Sequence, residues 1–269
     1  MKSVEKVIYI GSVARSGSSW VGQILNSSEK VIFKFQPLFS YEFKDIIDED
    51  STKDKYVEFF QDLANKESTF LDQTDKVEAG IYPKFKKSTP DTLVFKENRY
   101  QSIIEPMIRR NDNLLFVGII RNPCAVINSW RKNAKEFPSG SNIKEEWRFG
   151  NCKNKGNEDY FGYYKWKEVA NNYHDLKKKY KDRVFLIHYD RFVENPETIT
   201  NELFNFLGMN ISSQTKNFIE ESTSKTDDNY YSVYKGQERK KKWMEELDPY
   251  IISEIEADLR DTRLERYLY

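Results

Sequence analysis

The sequence predicts an α/β fold, a three-layer α/β/α arrangement around a central, mostly parallel sheet. Short apolar runs alternate with helical patterns along the chain, as in sheets built from strand–helix–strand units. The run LLFVGIIR, residues 114–121, is apolar until its terminal charge, the mark of a strand buried on both faces. A Ser/Gly-rich loop in the stretch GSVARSGSSW, Gly11 to Trp20, separates a first apolar run from a helical segment.

Taken in order, KVIYI (6–10) is predicted as a strand, 11–18 as a loop and 19–27 as a helix. VIFKF (31–35) is the second strand, interrupted by Pro37. Residues 40–88 are predicted mostly helical, because EFKDII and YVEFFQDLA repeat apolar residues at helical spacing. LVFKE (93–97) is a short buried strand, and IIEPMIRR a helix after it. Beyond the strand at 114–121, Asn122 suits a helix cap and Pro123 a first helical turn. Residues 135–165 are polar, Gly-containing and aromatic, the pattern of an inserted surface loop. A helix over 164–180, a strand RVFLIHY (183–189) and a helix ITNELFNFLG capped by Gly208 follow. Residues 221–235 are predicted as a polar loop and 237–260 as a charged helix. No repeat or linker divides the chain, so residues 1–269 are expected to form one domain.

Composition narrows the function. Forty-three basic residues balance 43 acidic ones, which argues against a general nucleic-acid binder. The 17 Tyr and 18 Phe are too many for a disordered chain. No segment approaches the ~20 apolar residues of a membrane span, and the short VIYI run lacks a signal peptide's apolar core. A cytoplasmic location is therefore expected. Cys124 and Cys152 form no disulfide framework, and no Cys/His cluster suggests a metal. With His174 and His188 the only histidines, a Ser-His-Asp hydrolase has few choices of base.

The loop is suited to an oxyanion. A helix N-terminus offers unpaired N–H groups and the positive end of a dipole. A Gly/Ser loop before it wraps amides around an anion. Ser16, Ser18 and Ser19 add hydroxyl donors, and Arg15 a charged planar fork. A triphosphatase P-loop reads GxxxxGK followed by Ser or Thr. Here Ser12 stands for its first Gly and Ser18 for its Lys, so ATP is a poor fit. IIRNPCAVINSW then places Arg121 at a strand end and Ser129 two helical turns on, a second anion site. Two anion sites at neighbouring strand ends favour a ligand with two separated phosphates.

With these residues in place, the sequence resembles the P-loop-like sulfotransferase family that uses 3′-phosphoadenosine 5′-phosphosulfate (PAPS). ARSGSSW looks like its 5′-phosphosulfate loop and RNPCAVINSW like its 3′-phosphate motif. HYDRFVENPETITNELFNFLGM and YYSVYKGQERKKKWMEEL resemble its two later segments, and all four occur in family order. The resemblance implies a P-loop NTPase-like fold and transfer of a sulfuryl group to an acceptor hydroxyl, with no metal required. It implies that Arg15, Ser16, Gly17, Ser18 and Ser19 hold the phosphosulfate and that Trp20 and Tyr189 lie beside the adenine. Arg121 and Ser129 would bind the 3′-phosphate, with Lys235 and Gly236 closing over it.

The general base is less plain. Many members carry a Glu after the second strand, where this chain has Gln36. Others carry a His where this chain has Asn98. A neutral amide takes no proton, though Gln36 can orient an acceptor. Glu97 is then the expected base, with Lys96 stabilising the leaving oxygen and Arg99 binding substrate. Glu42, Asp72 and His188 are reserves. The aromatic and charged residues of 135–165 (Phe137, Trp147, Arg148, Phe149, Tyr160, Phe161) are expected to form a lid over a sugar, as in carbohydrate-acting members. Two other classes stay open: a small-molecule kinase with an unusual loop, and a non-catalytic protein that binds PAPS or its bisphosphate product.

Overall fold

The computed structural model describes residues 4–156, 158–225, 232–234 and 242–269. Its sheet has five strands: β1 (Lys6–Ser12), β2 (Val31–Phe35), β3 (Thr92–Glu97), β4 (Leu114–Ile120) and β5 (Val184–His188). Their spatial order is β2-β3-β1-β4-β5, and every neighbouring pair is parallel. Alternate side chains of a strand point to opposite faces. Accordingly Val7 and Tyr9 of β1 enter one core and Ile8 and Ile10 the other. On β3, Leu93 and Phe95 join the first core and Val94 the second.

This order positions the site. The connection leaving β1 runs to one edge of the sheet and that leaving β4 to the other. β1 and β4 lie side by side with Ser12 opposite Ile119, so a crevice opens beyond their carboxyl ends. The first helix, Ser18–Asn26, buries Trp20, Val21, Ile24 and Leu25 against the sheet. Across the crevice starts the helix Pro123–Arg131, where Pro123 is the first helical residue and Asn122 Oδ1 accepts from Ala125 N at 3.1 Å.

The sequence expectation differs in three places. Residues 40–88 are less helical: EFKDII forms turns, with Asp45 at φ 62, and the long helix starts only where Thr52 caps Lys53–Asn65. The start of the expected loop at 221 belongs instead to the helix Ser213–Ser224, capped by Ser212 and anchored by Phe218 and Ile219. Of the expected helix over 237–260, residues 237–241 lie outside the described residues, and the described part is two pieces, Trp243–Glu246 and Pro249–Leu259. Asp248 and Pro249 make a fresh N-terminus there, since proline has no N–H for a continuing helix.

The 135–165 segment also departs from the expected lid. Trp147 is 2% exposed and packs on Tyr163, with ring centroids 5.8 Å apart. Phe137 and Phe161 pack on Trp130 at 5.0 and 5.6 Å. The rings belong to the first core or pack against it, because the apolar helix faces Pro123–Arg131 and Tyr163–Lys179 need covering. Trp147→Ala is expected to cost about 3–5 kcal/mol in denaturant unfolding. Phe149→Ala, whose ring is 55% exposed, is expected to cost under about 0.5 kcal/mol. A neutral Trp147→Ala would return that ring to a surface lid.

Candidate active site

Two residues of the loop after β1 have left-handed backbone, Arg15 at φ 72 and Gly17 at φ 84. Gly17 is required twice. Its φ disfavours a side chain, and a Cβ there would lie 1.9 Å from Cε2 of Tyr189. Ser18 and Ser19 then begin the helix, with their N–H groups at its positive end. Ser16 Oγ is buried without a hydrogen-bond partner among the described residues, as is Arg121 Nε. A loop that depends on glycine, together with the unpartnered Arg121 Nε, fits an anionic ligand.

Further contacts tie the positions together. Arg121 donates through an Nη to the Arg15 carbonyl at 2.9 Å, and its guanidinium lies 5.1 Å over the Tyr189 ring. Arg15 Nε donates to Ser129 Oγ at 3.2 Å. Trp20 meets Tyr189 edge-on at 6.1 Å, and its indole N–H donates to Ser222 Oγ at 2.9 Å. All of these residues except Ser16 line one cleft of about 410 Å³. Lys235 and Gly236 lie outside the described residues.

The strand-end residues divide between the two faces of the sheet. Lys96 follows Val94 toward the loop. It is 2% exposed, lines the cleft, approaches Ser19 Oγ at 3.4 Å and lies 4.3 Å over the Phe35 ring. Burial pulls its ammonium down to about 7. Glu97 follows Phe95 to the opposite face, is fully buried and does not line the cleft. Its carboxylate accepts from Leu38 N at 3.2 Å and Asn98 N at 3.1 Å, and burial pushes it up to about 7. The expectation of Glu97 as base therefore fails on the pleat, since consecutive strand residues do not share a face.

Other expected residues separate in the same way. Asn98 lines the cleft, but its Oδ1 accepts from both Ser12 and Ser18 hydroxyls at 3.0 Å, so it braces the loop. Gln36 lines the cleft, held in left-handed backbone at φ 43 by a hydrogen bond from its N to Lys96 O. Arg99 does not line it, being paired with Asp159 at 3.0 Å. Trp147 is likewise absent from its walls. Among the reserves, Glu42 accepts from Ser68 at 2.7 Å, Asp72 pairs with Lys34 at 2.6 Å and His188 lies 3.8 Å from Asp190, and none lines the cleft. Lys76, Tyr82 and Glu136 do line it and carry no motif signal in the sequence. Among the described residues no acidic or Cys/His group could hold a metal, and no helix is long and apolar enough to cross a membrane.

A parallel α/β sheet with a cleft at its switch point is a fold of the P-loop-like class. The chain matches the sulfotransferase domain family over residues 5–262 and belongs to that family. It is thus a PAPS-dependent sulfotransferase. The fold is similar to mouse sulfotransferase SULT7A1 complexed with PAP, the bisphosphate of adenosine (TM-score 0.60, 16% identity, 100% of this chain and 88% of that one). It is similar to retinol dehydratase in complex with retinol and PAP (0.57, 16%, 97% and 83%). It is also similar to the sulfotransferase domain of the curacin biosynthetic pathway (0.54, 16%, 96% and 98%). At these identities the likeness concerns the fold. No curated protein sequence matches the chain.

If a nucleotide 5′-phosphate sits beside Lys96, its binding is expected to depend on pH. A 5′-phosphate beside it favours the charged ammonium and raises its value on binding, so a proton is taken up wherever free Lys96 is neutral. PAP affinity is expected to be constant below pH 7 and to fall as pH rises above it, by up to about tenfold per pH unit. Calorimetry at pH 6.5–8.5 checks this, and an affinity that holds or rises above pH 7 would contradict it.

Proposed function

We propose that the chain transfers the sulfuryl group of PAPS to a hydroxyl of a polar, hydroxyl-rich acceptor, of which a carbohydrate is the simplest example. The observation that carries the donor half is that the glycine-dependent loop, with Arg15, Ser18 and Ser19, lines the same cleft as Arg121, whose Nε is buried with no hydrogen-bond partner among the described residues. The loop amides of the first helix, with Arg15, Ser18 and Ser19, would hold the 5′ end. Arg121 and Ser129 would hold the 3′-phosphate, and Trp20 and Tyr189 would flank the base. Lys235 and Gly236 are expected to close over the same phosphate, as the family resemblance implies.

The acceptor half rests on the other end of the cleft. Phe35 and Tyr82 stand there beside Gln36, Lys76 and Lys96, with Lys76 Nζ 5.0 Å over the Phe35 ring and 5.1 Å over Tyr82. Ring surface mixed with amide and ammonium donors suits a sugar, whose faces are apolar and whose edges are hydroxyls. The acceptor oxygen attacks sulfur in line as the bond from sulfur to the 5′-phosphate oxygen breaks. Lys96, beside Ser19, stabilises the charge developing on that oxygen, and Arg15 that on the transferred group. Orientation and fixed charge supply the catalysis.

The donor assignment is checked by thermal shift. PAP at a hundredfold excess over its Kd stabilises by about 2.7 kcal/mol, and a rise of about 5–10 °C is expected for a chain of this size. ATP is expected to give little shift. Arg121→Ala is expected to abolish the PAP shift. A shift with ATP alone favours the kinase reading, and an undiminished PAP shift in Arg121→Ala would refute the 3′-phosphate site.

A further inference from the structure

We propose that Glu136 is the general base that takes the acceptor's proton. This rests on the donor assignment above. Among the described residues, three carboxylates line the cleft: Glu136, Asp190 and Glu194. Asp190 is committed, since its Oδ2 accepts from Asn122 N at 2.8 Å, beside the Arg121 end. Glu194 is exposed at the last turn of the helix Tyr189–Glu194. Glu136 differs from both. Its Oε2 is buried with no hydrogen-bond partner among the described residues, and lies 3.9 Å from Arg15 Nε. That Nε directs its hydrogen bond to Ser129 Oγ instead. The carboxylate also lies close enough to Lys96 to act on its charge. It thus faces the two cations assigned to the transferred group and the leaving oxygen, while keeping an open acceptor lone pair.

Its position is fixed by the core. The turn after the helix Pro123–Arg131 is closed by Glu136 N donating to Asn133 O at 2.8 Å and Phe137 N donating to the same oxygen at 2.7 Å. The Trp130 indole, 1% exposed, donates to the Glu136 carbonyl at 3.0 Å, and Phe137 packs edge-on against that indole. A carboxylate on a backbone pinned from both sides is preorganised, as a base must be. The remaining neutral positions agree: Gln36 and Asn98 accept no proton, and Glu97 faces away.

The acceptor O–H proton passes to Glu136 Oε2 as the new O–S bond forms. The S–O bond to the 5′-phosphate breaks, its electron pair stays on the phosphate oxygen beside Lys96, and the bisphosphate leaves. Glu136 then returns its proton to water.

The test uses the full chain, PAP binding by calorimetry, and ³⁵S-labelled PAPS with a panel of hydroxyl acceptors and with water itself as acceptor. Glu136→Gln is expected to keep the PAP Kd within about threefold while total label transfer, to water and acceptors together, falls by at least about 100-fold. Glu136→Ala is expected to fall likewise and to recover at least about tenfold with added sodium formate, a small carboxylate that can enter the vacated space. Turnover of Glu136→Gln within threefold of wild type overturns the proposal. So does a loss of turnover accompanied by a matching loss of PAP affinity, or one that formate leaves unchanged, because Glu136 would then serve Arg15 and the donor loop. Wild-type protein that fails to bind PAP would instead overturn the donor assignment, and the proposal with it.

Discussion

The structure depends on one contact, the Tyr189 ring against Gly17. The ring stands just past β5 and Gly17 at the entrance of the first helix, so the contact joins the end of the loop after β1 to an edge strand of the sheet. It can form only because Gly17 has no Cβ and tolerates φ 84. From there the same ring supports the Arg121 guanidinium and meets Trp20 edge-on. Arg121 in turn holds the Arg15 carbonyl, and Arg15 reaches Ser129. One glycine thus brings the loop, Tyr189, Trp20, Arg121 and Ser129 into a single connected set.

The sheet order explains why these groups meet. β1 and β4 are neighbours although about a hundred residues separate them. Their strand ends therefore present the loop and Arg121 to the same crevice. Lys96 enters from β3 on the other side of β1, and its buried ammonium makes the cleft attractive to an anion at the cost of its own protonation. Burial without full charge compensation is a liability for folding and an asset once a phosphate arrives.

Much of this was legible in the sequence. All five strands were, because runs such as VIYI and LLFVGII are apolar on both faces, and the loop was, because its glycine and hydroxyls precede a helix. Helix boundaries were less so wherever local geometry overrode periodicity, as at Asp45 and at Pro249. The acceptor side was the least legible. Trp147 reads as a surface aromatic in a polar stretch, yet the helices beneath need its ring as cover. Glu97 stands beside Lys96 in sequence, yet the pleat sends the two side chains to opposite faces. Glu136 has no motif, and its place in the cleft comes from a turn closed by Asn133 and Trp130. Sequence motifs mark groups that grip a constant donor. Groups that meet the acceptor are set by tertiary packing, which a linear pattern does not carry.

On the proposed reading, the cleft is built for two separated phosphates on one adenosine. Calorimetry of the unmodified protein with PAP and with adenosine 5′-phosphate, at one pH and salt, tests it most directly. The two ligands differ only in the group that Arg121 and Ser129 would hold. PAP is expected to bind about 100-fold more tightly, the worth of one or two charge-assisted hydrogen bonds. Equal affinities would contradict it.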